Sequence, residues 1–135
     1  AYAYSKFLKS NVVICYKQRK KANVVSHMEL LGEVEGKNVI IVDDMVDTAG
    51  TLTKAADLMV ERGAKSVRAI CTHALLSGNA YENIEKSKLK ELIVTDTIVQ
   101  EKKSDKVTVL TCSKLFADVM HNVNSNKSIN SFFIK

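Results

Sequence analysis

The 135-residue sequence contains no proline. No turn can be fixed by a pyrrolidine ring, so the loops must take their shape from glycine, from Asn and Asp, and from contacts. Cysteine is scarce too. Cys15, Cys71 and Cys112 are odd in number, widely spaced and without a CxxC pair, which argues against a disulfide framework and a zinc site and for buried reduced thiols. His27, His73 and His121 are scattered, with no two at helical metal spacing, and no metal site is expected within the chain. No run approaches the roughly 18 apolar residues of a membrane-spanning helix. The first residues also lack the basic, apolar, small-residue order of a secretory signal. The reading is a soluble cytoplasmic protein with no membrane partner.

What is present is globular: 46% of residues are hydrophobic, 26% charged and 6% aromatic, in one domain's length of chain. The net charge of +5 calls for an anionic ligand or partner, and charge alone does not choose between nucleic acid and a phosphorylated small molecule.

Apolar runs alternate with helical patterns. AYAYSKFL reads as the end of a helix, NVVICY (11–16) as a strand, KQRKKAN (17–23) as a basic loop and VVSHMELL as a second strand. NVIIVDD is the clearest strand, because a continuous aliphatic run suits a sheet covered on both faces. Leu52, Ala55, Ala56, Leu58, Met59 and Val60 then fall at helical spacing before Gly63, a stop signal. Strand SVRAICTH, helix GNAYENIEKS, strands ELIVTDT and VTVLT, and helix CSKLFADVMHNV follow. The last segment is polar until it ends on apolar residues expected to dock. This alternation predicts an α/β fold: a doubly wound, mostly parallel sheet with helices on both faces, forming a single domain over 1–135.

One stretch asks for chemistry. VIIVDDMVDTAGT runs from Val39 to Thr51 and ends a buried strand on two adjacent carboxylates. In a doubly wound sheet, ligands bind beyond the carboxyl ends of the strands, where Asp43 and Asp44 lie. Vicinal sugar hydroxyls donate hydrogen bonds that carboxylates accept well. Asp47, Thr48, Ala49, Gly50 and Thr51 then lead into a helix. Their backbone N–H groups, the threonine hydroxyls and the helix dipole make a phosphate cradle, and Gly50 allows a special backbone conformation or close ligand approach. The motif is no Walker loop, since GxxxxGK[ST] is missing. Taken locally, Asp43 and Asp44 also suit a turn, and Thr51 a helix cap.

VIIVDDMVDTAGT resembles the phosphoribosyl pyrophosphate motif of the class I phosphoribosyltransferase fold. Together with KQRKKANVV, CTHALLSGNAYENI, LKELIVTDTI and the closing KSINSFF, it makes nearly the whole chain similar to the C-terminal half of the ribose-phosphate pyrophosphokinase family. The resemblance implies transfer of diphosphate from ATP to the 1-hydroxyl of ribose 5-phosphate, with Mg2+ as cofactor, giving phosphoribosyl pyrophosphate and AMP.

By matching position it implies that Asp43, Asp44, Asp47, Thr48, Ala49, Gly50 and Thr51 bind ribose 5-phosphate and that Lys17 and Arg19 are catalytic. A cation pair on a closing loop suits the growing charge of diphosphoryl transfer. Lys20 and Lys21 assist or are solvated. Ser128 to Phe133 resembles a segment that implies an allosteric nucleotide or phosphate pocket between subunits. His73, Asp96 and the loop of Ser77, Gly78 and Asn79 lie near the expected site.

The family's N-terminal half, with most of the ATP pocket and the metal ligands, lies outside these residues. The isolated chain is therefore expected to be inactive. The family's usual prolines are replaced by Lys20, Ala74 and Val99. A homo-oligomer, a hexamer built from dimers, and no nucleic-acid partner complete the expectation. Two alternatives stay open: a phosphoribosyltransferase that consumes phosphoribosyl pyrophosphate, and a non-catalytic phosphoribosyl-binding regulatory subunit.

Overall fold

The computed structural model describes residues 1–18 and 27–133. Helix α1 (Tyr2–Leu8) precedes an antiparallel pair, β1 (Ile14–Gln18) and β2 (His27–Leu31). Then come β3 (Asn38–Val46), α2 (Gly50–Glu61), β4 (Ser66–Ala74), α3 (Ala80–Lys86), β5 (Glu91–Thr95), β6 (Val107–Leu110) and α4 (Ser113–Asn124). A single 3-10 turn follows at Asn130–Phe132. The parallel α/β arrangement expected from the alternation is present as a four-stranded sheet in the order β3-β4-β5-β6.

The order fixes where the crossover helices go. A strand–helix–strand crossover between parallel strands is right-handed, so a sheet built in one direction places successive helices on the same side. α2 and α3 obey this and close one core over the odd-numbered residues of β3 and β4 and the even-numbered residues of β5. Burial in β4 has the period of two that a strand requires, with Val67, Ala69 and Cys71 buried and Arg68 and Ile70 only half-buried. From the helix side, Leu52, Ala55, Ala56 and Met59 present the i, i+3, i+4, i+7 stripe read from the sequence. Ile84, Leu89, Leu92 and Val94 complete the core.

The opposite face carries Val42, Ile70 and Ile93 in register, and Ile40, in register with Arg68 at the β3 edge, is 45% exposed. Gly63 closes α2 with φ +87°. The Ala64 N–H donates to the Met59 carbonyl and the Gly63 N–H to that of Val60, the paired bonds of a Schellman cap. The same turn accepts the Gly36 N–H at 2.8 Å through the Gly63 carbonyl. That bond fastens the approach to β3 against the end of α2.

Two expectations need correction at their edges. β1 continues through Gln18, because Lys17 pairs with Met28 and Gln18 with His27, so Lys17 belongs to a strand and not to the basic loop. Of the chain end expected to dock, Phe132 is half-buried, Phe133 is 63% exposed, and residues 134 and 135 lie outside the described residues. Among the described residues no helix is long and apolar enough to cross a membrane.

Candidate functional site

At the carboxyl end of β3 the chain opens a pocket of about 290 Å³, lined by Asp43 and by Met45 through Leu52. Of the two adjacent carboxylates, only Asp43 lines the pocket. Asp43 shares a face with Cys71 and Met45, and Met45 lies in register with His73. Of the residues read as one sugar-phosphate clamp, Asp43, Asp47, Thr48, Ala49, Gly50 and Thr51 line the pocket, while Asp44 flanks it, its side chain interacting with that of Asp43.

Burial holds the Asp43 carboxyl above its ordinary range, and the like charge of Asp44 adds to the effect. The bond it accepts from the Asp44 N–H, at 3.0 Å, opposes that shift without cancelling it. Cys71, on the neighbouring strand, is buried and its thiol is pushed up, first by burial and then by the Asp43 and Asp44 charges, against backbone hydrogen bonds that lower it. Cys15 and Cys112 are also free thiols, both half-buried.

The loop after β3 is held from one side. Ser77 donates its N–H to the Asp47 carbonyl at 3.1 Å and its hydroxyl to the Asp47 carboxylate. Asn83 of α3 donates from Nδ2 to the Thr48 carbonyl at 2.9 Å. Ala49 is the N-cap of α2 with φ 59°, a left-handed conformation that a residue with a Cβ adopts only under constraint. Gly50, expected to supply the special conformation, is not among the positive-φ residues. Its missing Cβ leaves room instead, since the nearest atom to that position is Thr48 Oγ1 at 3.9 Å.

No side chain caps α2, and Thr53 turns its hydroxyl back to the Ala49 carbonyl at 2.9 Å. The first N–H groups of α2 are thus open to a ligand from the pocket. Among the described residues no lysine or arginine is part of the pocket wall. Anion binding here rests on N–H groups, hydroxyls and the helix dipole, set against two carboxylates.

The remaining candidates separate cleanly. Arg19, Lys20 and Lys21 lie outside the described residues, while Lys17 stands in β1. Asp96 accepts the Cys112 N–H at 2.8 Å, which ties the start of α4 to the end of β5. His73 pairs through Nδ1 with Thr97 Oγ1 at 3.0 Å. Ser128 accepts the Asn130 N–H through Oγ at 3.2 Å and the Asn122 side chain through its carbonyl at 3.2 Å, a local turn after α4. Asn83 was not foreseen, since its partner Thr48 is 35 residues away in sequence. The only sequence signal was an amide one turn into a helix that follows SG.

A family model described as "phosphoribosyl synthetase-associated domain" matches residues 6–134. The ribose-phosphate pyrophosphokinase of Wolinella succinogenes is 50% identical over 124 residues, which cover 92% of this chain and 40% of that protein. The enzyme of the same name from Campylobacter jejuni is 48% identical over 134 residues, covering 99% of this chain and 43% of that protein. Among solved structures, the phosphoribosylpyrophosphate synthetase from Mycobacterium smegmatis superposes with a TM-score of 0.71 at 32% identity, over 83% of this chain and 37% of that one. The chain spans about two fifths of the length of these relatives.

Proposed function

We propose that this chain, which belongs to the phosphoribosyl synthetase-associated domain family, supplies the ribose 5-phosphate side of a ribose-phosphate pyrophosphokinase. The parent protein would move the diphosphoryl group of ATP to the 1-hydroxyl of ribose 5-phosphate, releasing AMP. The observation that carries this reading is the pocket at the end of β3, where Asp43 and Asp47 stand beside the uncapped start of α2. A phosphate placed there meets the N–H groups of the loop and first turn and the hydroxyls of Thr48 and Thr51. Sugar hydroxyls meet the carboxylates. One ligand with a phosphate at one end and hydroxyls at the other satisfies both halves, whereas a nucleic-acid backbone leaves the acids opposed to phosphate.

Transfer itself needs positive charge over the migrating group, because charge develops on its oxygens and on the leaving phosphate. The described part of the pocket wall offers none, and this reading gives that work to Lys17 and Arg19 of the KQRKK stretch. Arg19 suits a two-oxygen grip, and Lys17 a movable point charge. Magnesium bound through substrate phosphates needs only one or two protein carboxylates, a demand that Asp43 or Asp47 can meet. Among the described residues no cluster of three or more ligating side chains forms a site by itself. When bound, the ion would neutralise phosphate charge.

The test is the full-length parent with ATP, magnesium and ribose 5-phosphate, followed by AMP release. Lys17→Ala is expected to lower turnover at least roughly a hundredfold, the scale of losing one preorganised charge-stabilising group, with the ribose 5-phosphate KM little changed. The isolated chain is expected to bind ribose 5-phosphate weakly and release no AMP. Base-dependent pyrophosphate release by the parent would favour a phosphoribosyltransferase instead. Binding without any turnover would favour a regulatory subunit.

A further inference from the structure

Beyond the pocket lining, we infer that Ser77 and Asn83 are positioning residues that aim two consecutive N–H groups of the β3–α2 loop at the phosphate; the inference rests on the ribose 5-phosphate reading of that pocket. A trans peptide holds its carbonyl and its N–H in one plane, pointing in opposite directions. Fixing the carbonyl therefore fixes the direction of the N–H. The Asp47 carbonyl is held by the Ser77 N–H at 3.1 Å, and the N–H of that same peptide belongs to Thr48. The Thr48 carbonyl is held by Asn83 Nδ2 at 2.9 Å, and the N–H of that peptide belongs to Ala49. Both carbonyls are engaged from the side of α3, so both N–H groups turn away from α3.

Among the described residues neither the Thr48 nor the Ala49 N–H has an acceptor. Ala49 then takes its left-handed conformation, and the chain enters α2 without a side-chain cap. Successive N–H groups across such a turn form a concave anion site, continuous with the open first turn of the helix. Asn83 is well placed to impose this. It stands on α3 beside Ile84, which is fully buried, and its own N–H is bonded to the Asn79 carbonyl at 2.9 Å, so its side chain projects from a fixed element. The carbonyl partner also settles which way the amide points, since only the NH₂ can donate. Ser77 adds a second hold by donating its hydroxyl to the Asp47 carboxylate, leaving the other oxygen of Asp47 for a ligand.

The experiment is steady-state kinetics and thermal unfolding of the full-length parent carrying Asn83→Leu or Asn83→Asp. Leucine keeps the bulk and removes the donor; aspartate keeps the shape and sets a carboxylate against the Thr48 carbonyl. The ribose 5-phosphate KM is expected to rise about tenfold for leucine, the scale of one lost hydrogen bond, and more for aspartate. The ATP KM and the unfolding midpoint should stay at their wild-type values. A leucine variant with an unchanged ribose 5-phosphate KM, in an enzyme that saturates normally with that substrate, overturns the positioning role and leaves the pocket reading standing. Equal rises in both KM values with a lowered midpoint overturn it as well, by assigning Asn83 to stability alone. A wild-type parent with no saturable dependence on ribose 5-phosphate removes the pocket reading, and this inference with it.

Discussion

Asp43 lies near the carboxyl end of β3 and Asp96 just after β5, and the two carboxylates meet opposite surroundings. Asp96 is held below its ordinary range by the Thr111 hydroxyl first and then by the Cys112 N–H. Asp43 is held above its range by burial first and by Asp44 after it. The signs follow by linkage. Asp96 contributes stability that is present above its unfolded pKa and is lost as pH falls through its lower folded value. Asp43 favours the folded state only while protonated, so its contribution is lost as pH rises through its folded value, and at neutral pH its charge is a burden on the fold.

Asp43→Asn is thus expected to raise the melting temperature at pH 7, a stabilisation of less than about 1 kcal/mol after allowance for solvent screening. The gain should vanish near pH 3. Asp96→Asn should lower the melting temperature at pH 7 and converge with wild type in acid. Melts of both variants across pH 3 to 7 check the pair, and a destabilised Asp43→Asn at pH 7 would contradict the account of Asp43. A carboxylate kept where the fold gains nothing from its charge is the residue-scale argument for a ligand at Asp43. The sequence displayed the acid pair but not that only Asp43 of the two lines the pocket, nor the left-handed Ala49, because alanine carries no signal for positive φ.

The turn that ends α2 concentrates several elements on one glycine. Gly63 has φ +87°, and a Cβ there would lie 3.1 Å from Glu35 Cγ. Gly63→Ala meets both the left-handed penalty, about 1–2 kcal/mol, and a crowded neighbour that must shift. It should also loosen the Gly36-to-Gly63 bond that holds the start of β3. A loss of about 1–3 kcal/mol in urea unfolding with an unchanged m-value is expected; an unchanged midpoint would mean that the turn relaxes freely.

This element was legible before any coordinates, since the apolar stripe of α2 and the glycine stop were both local signals. β4 and β5 were legible for the same reason. What escaped was pairing between distant segments. Nothing in KQRKKAN alone indicates that Lys17 and Gln18 pair with Met28 and His27, and nothing near Thr48 indicates Asn83. Element identity follows from local spacing, whereas partners 9 to 35 residues apart depend on how elements stack.

On the scale of the molecule, apolar surface is unevenly placed. α2 and α3 share a core, while α4 buries none of its residues, and Phe116 and Met120, one turn apart on it, are 54% and 62% exposed. Leu115 and Val123 extend the same helix's exposed apolar surface. Apolar side chains collected on one element differ from scattered ones, because contiguous patches associate. The isolated chain should therefore self-associate at high concentration and bind apolar dyes.

Replacing Phe116 and Met120 by glutamate tests this directly. Neither side chain is buried, so their loss should leave the α2–α3 core intact and shift stability by no more than about 0.5 kcal/mol, the range for surface changes. Two added carboxylates also lower the net charge from the +5 of the wild-type sequence to +3, since each adds one negative charge. Light scattering and dye fluorescence should fall while the melting temperature holds. If scattering is unchanged, another surface drives association, and the Ile40 face of the sheet is next in line. If instead the melting temperature drops by several degrees, α4 contributes more packing to the folded chain than its exposure implies, and its apolar residues belong to the core of this domain.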